Sequence, residues 1–256
     1  MMKLLTFNVR IDLSSDGVND WNHRLKAVAE VINSGKYSVV GLQEPNMSML
    51  KSLIALCPGY GFTGIARDEN GEMNPVIFNL ESVRLLTSET IWLSDTLYMV
   101  SKFPDSHFNR IATIATFEER GSMRMFRFVN THLDYADETV QKKQMEVLIK
   151  YLNSRVSMKK FPCILVGDFN ATPEKPVLSL IKESRIGHSV LSSIYENEIT
   201  HATYHQFTGE TKGDPIDYGF FTNHFRKSQF KIITEQFFQR YPSDHFPIEF
   251  SIDFIK

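Results

Sequence analysis

The chain has 256 residues, 42% hydrophobic and 23% charged, an ordinary globular composition with enough material for one sizeable core. Its 28 Lys and Arg against 30 Asp and Glu leave a formal net charge of −2, so the overall balance lacks the basic excess of proteins that grip long nucleic acid nonspecifically. The two cysteines, Cys57 and Cys163, are too few for a disulfide framework, a cysteine-based zinc site or a short-spaced redox pair, and both read as buried thiols in apolar stretches.

In chain order, Leu4 to Val9 reads as a buried strand that starts almost at the first residue. Met1 to Val9 is too short and too soon polar for a signal peptide, and no apolar run reaches the length of a bilayer span. The expected address is therefore the cytoplasm, with export left open if a leader had been removed. Residues 22–34 have helical spacing, with Leu25, Val28, Ala29 and Ile32 on one face. Tyr37 to Leu42 is an apolar strand, and Met47, Leu50, Ile54 and Cys57 mark a second helix whose stripe reads as core packing. Residues 76–79, 83–93 and 110–118 read as strands, and 110–130 as a hairpin closed near Gly121. Met145, Leu148, Ile149 and Leu152 mark a third helix. Cys163 to Val166 is wholly apolar, as strands buried on both faces are. Ile216 to Phe221, Phe230 to Thr234 and Ile248 to Phe254 complete the strands. Pro173, Pro176, Gly209, Gly213 and Pro215 fall in expected loops. Hairpins mixed with strand–helix–strand units imply mixed sheets flanked by helices in one α/β domain over residues 1–256.

The chemistry-bearing residues sit at strand ends. Gly167-Asp168-Phe169-Asn170 follows the buried strand directly, delivering a carboxylate and an amide where α/β folds place ligand sites, with Phe169 turned to the opposite face. A solvated turn, with Asp168 and Asn170 making local hydrogen bonds, is the competing reading. Ser243-Asp244-His245-Phe246-Pro247 precedes the last strand; a carboxylate can ligate a cation and an imidazolium can donate to phosphate. Asp217 opens an apolar strand and needs a partner if buried. His245 is the expected partner, since a carboxylate on one imidazole nitrogen aims the other. Glu44 ends the strand Tyr37 to Leu42 and suits a hard cation, with Asn8 offering a carbonyl oxygen nearby. His132, closing the hairpin, suits a general acid or phosphate donor. His107, His188, His201 and His224 read as structural.

Taken together, six segments resemble the endonuclease/exonuclease/phosphatase superfamily, also called deoxyribonuclease I-like. They are Thr6-Phe7-Asn8-Val9-Arg10, Leu42-Gln43-Glu44, Asn130-Thr131-His132-Leu133-Asp134, Gly167-Asp168-Phe169-Asn170, Ile216-Asp217-Tyr218 and Ser243-Asp244-His245-Phe246-Pro247. The resemblance implies a four-layer α/β sandwich with two central mixed β-sheets, and Mg²⁺ or Mn²⁺ as cofactor. It implies that Glu44 is the principal metal ligand, with Asn8 and Asp244 close by. Asp168 would orient or deprotonate the attacking water, and Asn170 would bond the phosphate or the nucleophile. His245, held by Asp217, would stabilise phosphoryl charge, and His132 would donate to a phosphate or leaving oxygen. Further segments around Asp16 to Trp21 with Arg24, Gly71 to Val76, Arg110 to Thr113 and Thr203 to His205 are similar to a largely microbial branch. By position, Arg110 is a candidate phosphate clamp, and Glu72 a substrate-site residue paired with His132. Asn79 and Gly219 depart from that branch and would alter pocket shape.

Three functional readings follow: a monomeric hydrolase of small phosphate esters, a nuclease on DNA or RNA, and an inactive phosphate-binding module. The near-neutral charge favours the first over the second. The full set of acidic, amide and imidazole positions disfavours the third. Lys142-Lys143, Lys159-Lys160 and Arg226-Lys227 are the local basic patches a nuclease would use.

Overall fold

Along each central strand, successive apolar side chains point to opposite faces, and both faces are buried. This pattern dictates a layered fold. The structure, a computed structural model, describes residues 1–69, 71–156 and 161–255; Lys159-Lys160 lies outside them. In chain order the first strands are β1 (Met2–Asn8), β2 (Val39–Gln43), β3 (Tyr60–Thr63), β4 (Val76–Asn79), β5 (Val83–Trp92), β6 (Ile111–Glu119) and β7 (Met125–His132). They are followed by β8 (Cys163–Asp168), β9 (Arg185–Ile186), β10 (Ser189–Ser193), β11 (Asp217–Thr222), β12 (Phe225–Ile232) and β13 (Ile248–Phe254). The helices are α1 (Trp21–Gly35), α2 (Met47–Ala55), α3 (Glu138–Val156) and α4 (Pro176–Glu183).

The strands form a six-stranded sheet, β12-β13-β1-β2-β4-β3, and a seven-stranded sheet, β5-β6-β7-β8-β11-β10-β9. Both are mixed: β1 and β2 run parallel, as do β7 and β8, among antiparallel neighbours. Leu4 of β1 and Val39 of β2 point inward to meet Phe126 and Phe128 of β7 and Ile164 and Val166 of β8. Leu5, Phe7, Val40 and Leu42 point outward beneath α1 and α2. On the far side Leu165 and Phe220 pack under Leu148 of α3 and Ile181 of α4. The result is the expected four-layer sandwich with two central mixed sheets. Among the described residues, no helix is long and apolar enough to cross a membrane.

A buried polar bridge crosses between the sheets. Asn130, fully buried on β7, donates from Nδ2 to Leu42 O at 2.6 Å and Pro75 O at 2.9 Å, and accepts from Gln43 Nε2 at 2.6 Å. Each of these polar groups would be costly if left unpartnered. Gly41 makes the approach possible: a Cβ there would lie 2.7 Å from Val166 and 2.9 Å from Asn130 Oδ1.

Several expectations need correction. Pro176 belongs to no loop; it occupies the first turn of α4, where a missing N–H costs nothing. The strand expected at Phe230 to Thr234 is β12, which begins at Phe225 and ends at Ile232. The short strands β3, β9 and β10 were not anticipated. Neither Asn79 nor Gly219 lines the cleft described below. The Asn79 Oδ1 accepts from Glu81 N and Ser82 N to cap a turn, and Gly219 packs near Ile194 and Phe250 in the core.

Candidate active site

The inward-facing series on four strands each end in a polar residue at one edge of the sandwich: Asn8 on β1, His132 on β7, Asp168 on β8 and Asp217 on β11. Parallel pairing sets His132 beside Asp168, and antiparallel pairing sets Asp217 on the other side of Asp168. Glu44 follows β2, and Asp244 and His245 precede β13. Glu44, His132, Asp168, Asn170, Asp244 and His245 line one cleft of about 580 Å³. Asn8 and Asp217 stand behind it. Gly167 permits the close approach, because a Cβ there would lie 2.0 Å from Thr131 O.

The six-stranded sheet supplies an acidic wall. Asn8 Nδ2 donates to Glu44 Oε1 at 2.9 Å and to Asp168 Oδ2 at 3.0 Å, while its Oδ1 accepts from Arg10 N at 2.9 Å. Ile11 N donates to Glu44 Oε2 at 2.9 Å. Asn8 thus presents its amide nitrogen, not its oxygen, to the carboxylates. Glu44 and Arg10 adopt the left-handed conformation at φ 74° and 55°, which these bonds hold against its intrinsic cost. Arg10 pairs with Asp16 at 3.0 Å and reaches within 3.8 Å of Asp244. Behind them Arg24, fully buried, donates to the carbonyls of Val9, Arg10, Asn19 and Pro242. One guanidinium therefore ties the turn after Asn8 to the loop that carries Asp244.

The seven-stranded sheet supplies a proton-handling wall. Asp217 Oδ2 lies 2.8 Å from His245 Nδ1, the pairing expected from sequence, and His245 Nε2 lies 3.8 Å from Asp168 Oδ2. Thr203 Oγ1 accepts from Ile216 N and Asp217 N and fixes where β11 begins. Burial opposes charge on His245, but Asp217, Asp168 and Asp244 overcome it and push its pKa up to about 10. Burial, reinforced by Asp217, raises Asp168 to about 7. Asn170, at φ 49°, donates its backbone N to Asp168 Oδ1 at 2.8 Å. Its Nδ2 donates to Leu133 O at 3.0 Å and meets His132 Nε2 at 2.9 Å. The bond to Leu133 sets the amide's orientation, so His132 Nε2 accepts. Burial, then Arg110 and His245, hold the His132 pKa well below the usual imidazole value, so this ring is neutral. For His132 to donate to a substrate oxygen, Asn170 must release Nε2 and the ring proton must move there from Nδ1.

The endonuclease/exonuclease/phosphatase family model matches residues 5–245. The chain belongs to this family. A mannosyl-6-phosphatase from Bacteroides thetaiotaomicron superposes with a TM-score of 0.91 at 22% identity, covering 99% of this chain and 100% of that one. A conserved protein of unknown function from Enterococcus faecalis gives 0.90 at 26% identity, covering 99% and 100%. D. rerio TDP2, solved with a single-strand DNA product, gives 0.77 at 18% identity, covering 98% of each chain. Among curated proteins, none shows significant similarity. Members of the family hydrolyse phosphate esters and are generally dependent on divalent metal.

The donor set here fits a divalent cation. Burial raises the pKa of Asp168 and Asp244, and of Glu72 to about 7. Such crowding of carboxylates is the environment that a divalent cation relieves. Asp168, Asp217 and His245 form a buried cluster whose potential ligand atoms lie within 4.8 Å of one another. The 2.8 Å contact to Asp217 occupies His245 Nδ1, and the raised pKa keeps the ring protonated. That triplet is therefore better suited to holding a proton. The Glu44 and Asp244 carboxylates of the acidic wall, which keep lone pairs beyond the bonds from Asn8, Ile11 and Ser243, suit a hard cation.

The remaining expected residues are placed as follows. Arg110 lines the cleft and is buried, with Nε 3.8 Å from Asp134 Oδ2. Glu72 also lines the cleft but pairs with Arg67 Nη1 at 2.7 Å, not with His132. Arg10, Arg67 and the cleft aromatics Phe108, Tyr135 and Tyr204 were missed as site residues. Arg10 and Tyr204 lie in quoted segments, but nothing in the sequence singled out Arg67 or Phe108.

Proposed function

We propose that this protein is a Mg²⁺- or Mn²⁺-dependent phosphoric ester hydrolase acting on a small molecule. The observation that carries this reading is the chain of contacts from Asp217 through His245 to Asp168, at 2.8 and 3.8 Å, beside the Asn8–Glu44 pair in one cleft. Glu44 and Asp244, with Asn8 behind them, would hold the cation, which would supply neutralisation of charge on the phosphoryl oxygens. Asp168, poised near neutrality, accepts the proton of the attacking water. Asn8 holds the Asp168 Oδ2 oxygen, and the Asn170 backbone holds Oδ1, so the base cannot swing away. The His245 imidazolium, fixed by Asp217, directs Nε2–H to the developing negative charge. Asn170 and the Arg110 guanidinium complete the phosphate grip, and His132 joins it once Asn170 releases Nε2 and the ring proton moves there from Nδ1.

The small-molecule preference rests on a cleft of about 580 Å³, within the usual range for small ligands, and on the formal charge of −2. Nuclease activity is the second reading, favoured by the fold shared with the DNA-product complex. A panel of sugar, nucleotide and glycerol phosphates with single-stranded DNA and RNA, assayed with Mg²⁺ and with EDTA, separates the readings. The proposal expects turnover of a small ester that EDTA abolishes and Mg²⁺ or Mn²⁺ restores. Undiminished turnover in EDTA would remove the metal from the mechanism.

A further inference from the structure

Two aromatic side chains stand on the cleft wall with no part in the chemistry above. Phe108 and Tyr135 line the cleft, yet are 39% and 55% exposed. They are nevertheless firmly placed. Asp134, fully buried, accepts from Ser106 Oγ at 2.8 Å, His107 N at 2.9 Å and Phe108 N at 3.3 Å through Oδ2. Its Oδ1 accepts from Ala136 N at 3.0 Å. One carboxylate thus fixes both the turn that carries Phe108 and the turn that carries Tyr135.

The rings are also backed by neighbours. The Arg67 and Arg110 guanidinium carbons lie 4.4 and 5.4 Å from the Phe108 centroid, and His107 lies 4.9 Å from the Tyr135 centroid at 31° between planes. Phe108 and Tyr135 are 6.1 Å apart and splayed by 48°. They form two tilted faces, not the parallel slot that would sandwich a nucleobase. Beside them Glu72 spends Oε2 on Arg67, and no hydrogen bond to its Oε1 occurs among the described residues. A carboxylate repels a phosphate group but accepts readily from hydroxyls. Its place in a phosphate cleft suits the alcohol side of the ester.

We infer that Phe108, Tyr135 and Glu72 form a leaving-group subsite for a hydroxylated ring, making the substrate a sugar-like cyclic polyol phosphate. The inference rests on the small-ester reading above. The apolar face of the ring packs on the two tilted aromatics, and a ring hydroxyl donates to Glu72 Oε1. Asp134 is a positioning residue for this subsite and touches no substrate.

The test compares kcat/KM with Mg²⁺ for hexose 6-phosphates, for ethyl phosphate, which has no ring, and for AMP, which has a nucleobase. It uses the wild type, Tyr135→Ala, Tyr135→Phe and Glu72→Gln, each checked for folding by thermal melting. The wild type is expected to prefer its best hexose ester to ethyl phosphate and to AMP by at least about tenfold, the scale of a few ring contacts. Tyr135→Ala and Glu72→Gln should each cut the hexose-to-ethyl ratio at least about fivefold, and Tyr135→Phe should keep it. Equal rates on ethyl phosphate, a preference for AMP, or an unchanged ratio in both variants would overturn the subsite while leaving the hydrolase reading intact. Should no ester be turned over, saturation-transfer NMR of free hexose on the EDTA-treated protein decides separately. Signals that vanish in Tyr135→Ala support the subsite, and their absence in the wild type, or their persistence in the variant, refutes it.

Discussion

The two walls of the cleft carry similar residue types but are built differently. On the six-stranded side, Glu44 accepts from Ile11 N and the Asn8 amide, while Asp244 lies 3.8 Å from Arg10 on a loop that Arg24 ties down through the Pro242 carbonyl. On the seven-stranded side, Asp168 and Asp217 are flanked by His245 and by each other. The first arrangement fixes carboxylate oxygens while leaving their charge unspent, as a cation site requires. The second pushes a carboxylic acid and an imidazole toward shared proton occupancy, as acid–base work requires. Identical side chains acquire different chemistry from what backs them.

Substitutions can break this division of labour one wall at a time. The largest effect is expected from Asp168→Ala, with kcat falling at least ~100-fold; a steady-state assay on the best small ester checks it, and a loss below tenfold would remove the base role. Asp217→Asn should reduce kcat by roughly 10- to 100-fold by loosening His245, while Mn²⁺ affinity in an equilibrium titration stays within about twofold of wild type. A comparable loss of Mn²⁺ affinity would merge the two walls into one unit.

Arg24→Met sharpens the comparison from the acidic side. It strips four backbone carbonyls of their donor, and breaking such a buried arrangement costs on the order of 3 kcal/mol. In a chain of this length that lowers Tm by about 6 °C or more. Weaker Mn²⁺ binding should accompany the loss, because Arg24 joins the turns that carry Asn8 and Asp244. Unchanged Tm and unchanged Mn²⁺ affinity would deny Arg24 this role.

The smallest effect concerns acid stability. Burial opposes ionisation of Asp134, but hydrogen bonds from Ala136, Ser106 and Phe108, with Arg110 nearby, prevail and hold its pKa below the usual carboxylate value. Its folded pKa lies below its unfolded one, so its stabilisation is present above the unfolded pKa and is lost as pH falls through the folded value. Asp134→Asn should therefore flatten the acid limb of a Tm-versus-pH curve below about pH 4, the ordinary aspartate range. An unaltered slope would contradict the assignment.

Much of the molecule was legible in the sequence, because the reacting groups end apolar strands. Cys163 to Val166 announces a core strand, and Asp168 then has nowhere to go but its edge. The Asp217–His245 pairing followed from the cost of burying a lone carboxylate. What escaped had no periodic signal. Arg24 sits in an amphipathic helix, where an arginine reads as solvent-facing until the carbonyls of distant Pro242 and Val9 are seen around it. α4 hid behind Pro173 and Pro176, and β9 and β10 are too short to show alternation. The Arg67–Glu72 pair spans only 5 positions but sits in a loop with no periodic signal, and the Phe108–Tyr135 rim depends on distant loops meeting, as Asp134 and Phe108 do through a bond spanning 26 positions.

The most direct test of the central claim is an equilibrium Mn²⁺ titration of the wild type, Glu44→Gln and Asp217→Asn side by side. The account predicts tight binding in the wild type and in Asp217→Asn, and at least about tenfold weaker binding in Glu44→Gln. Equal affinity in Glu44→Gln and wild type, or a loss confined to Asp217→Asn, would contradict it by placing the cation on the other wall.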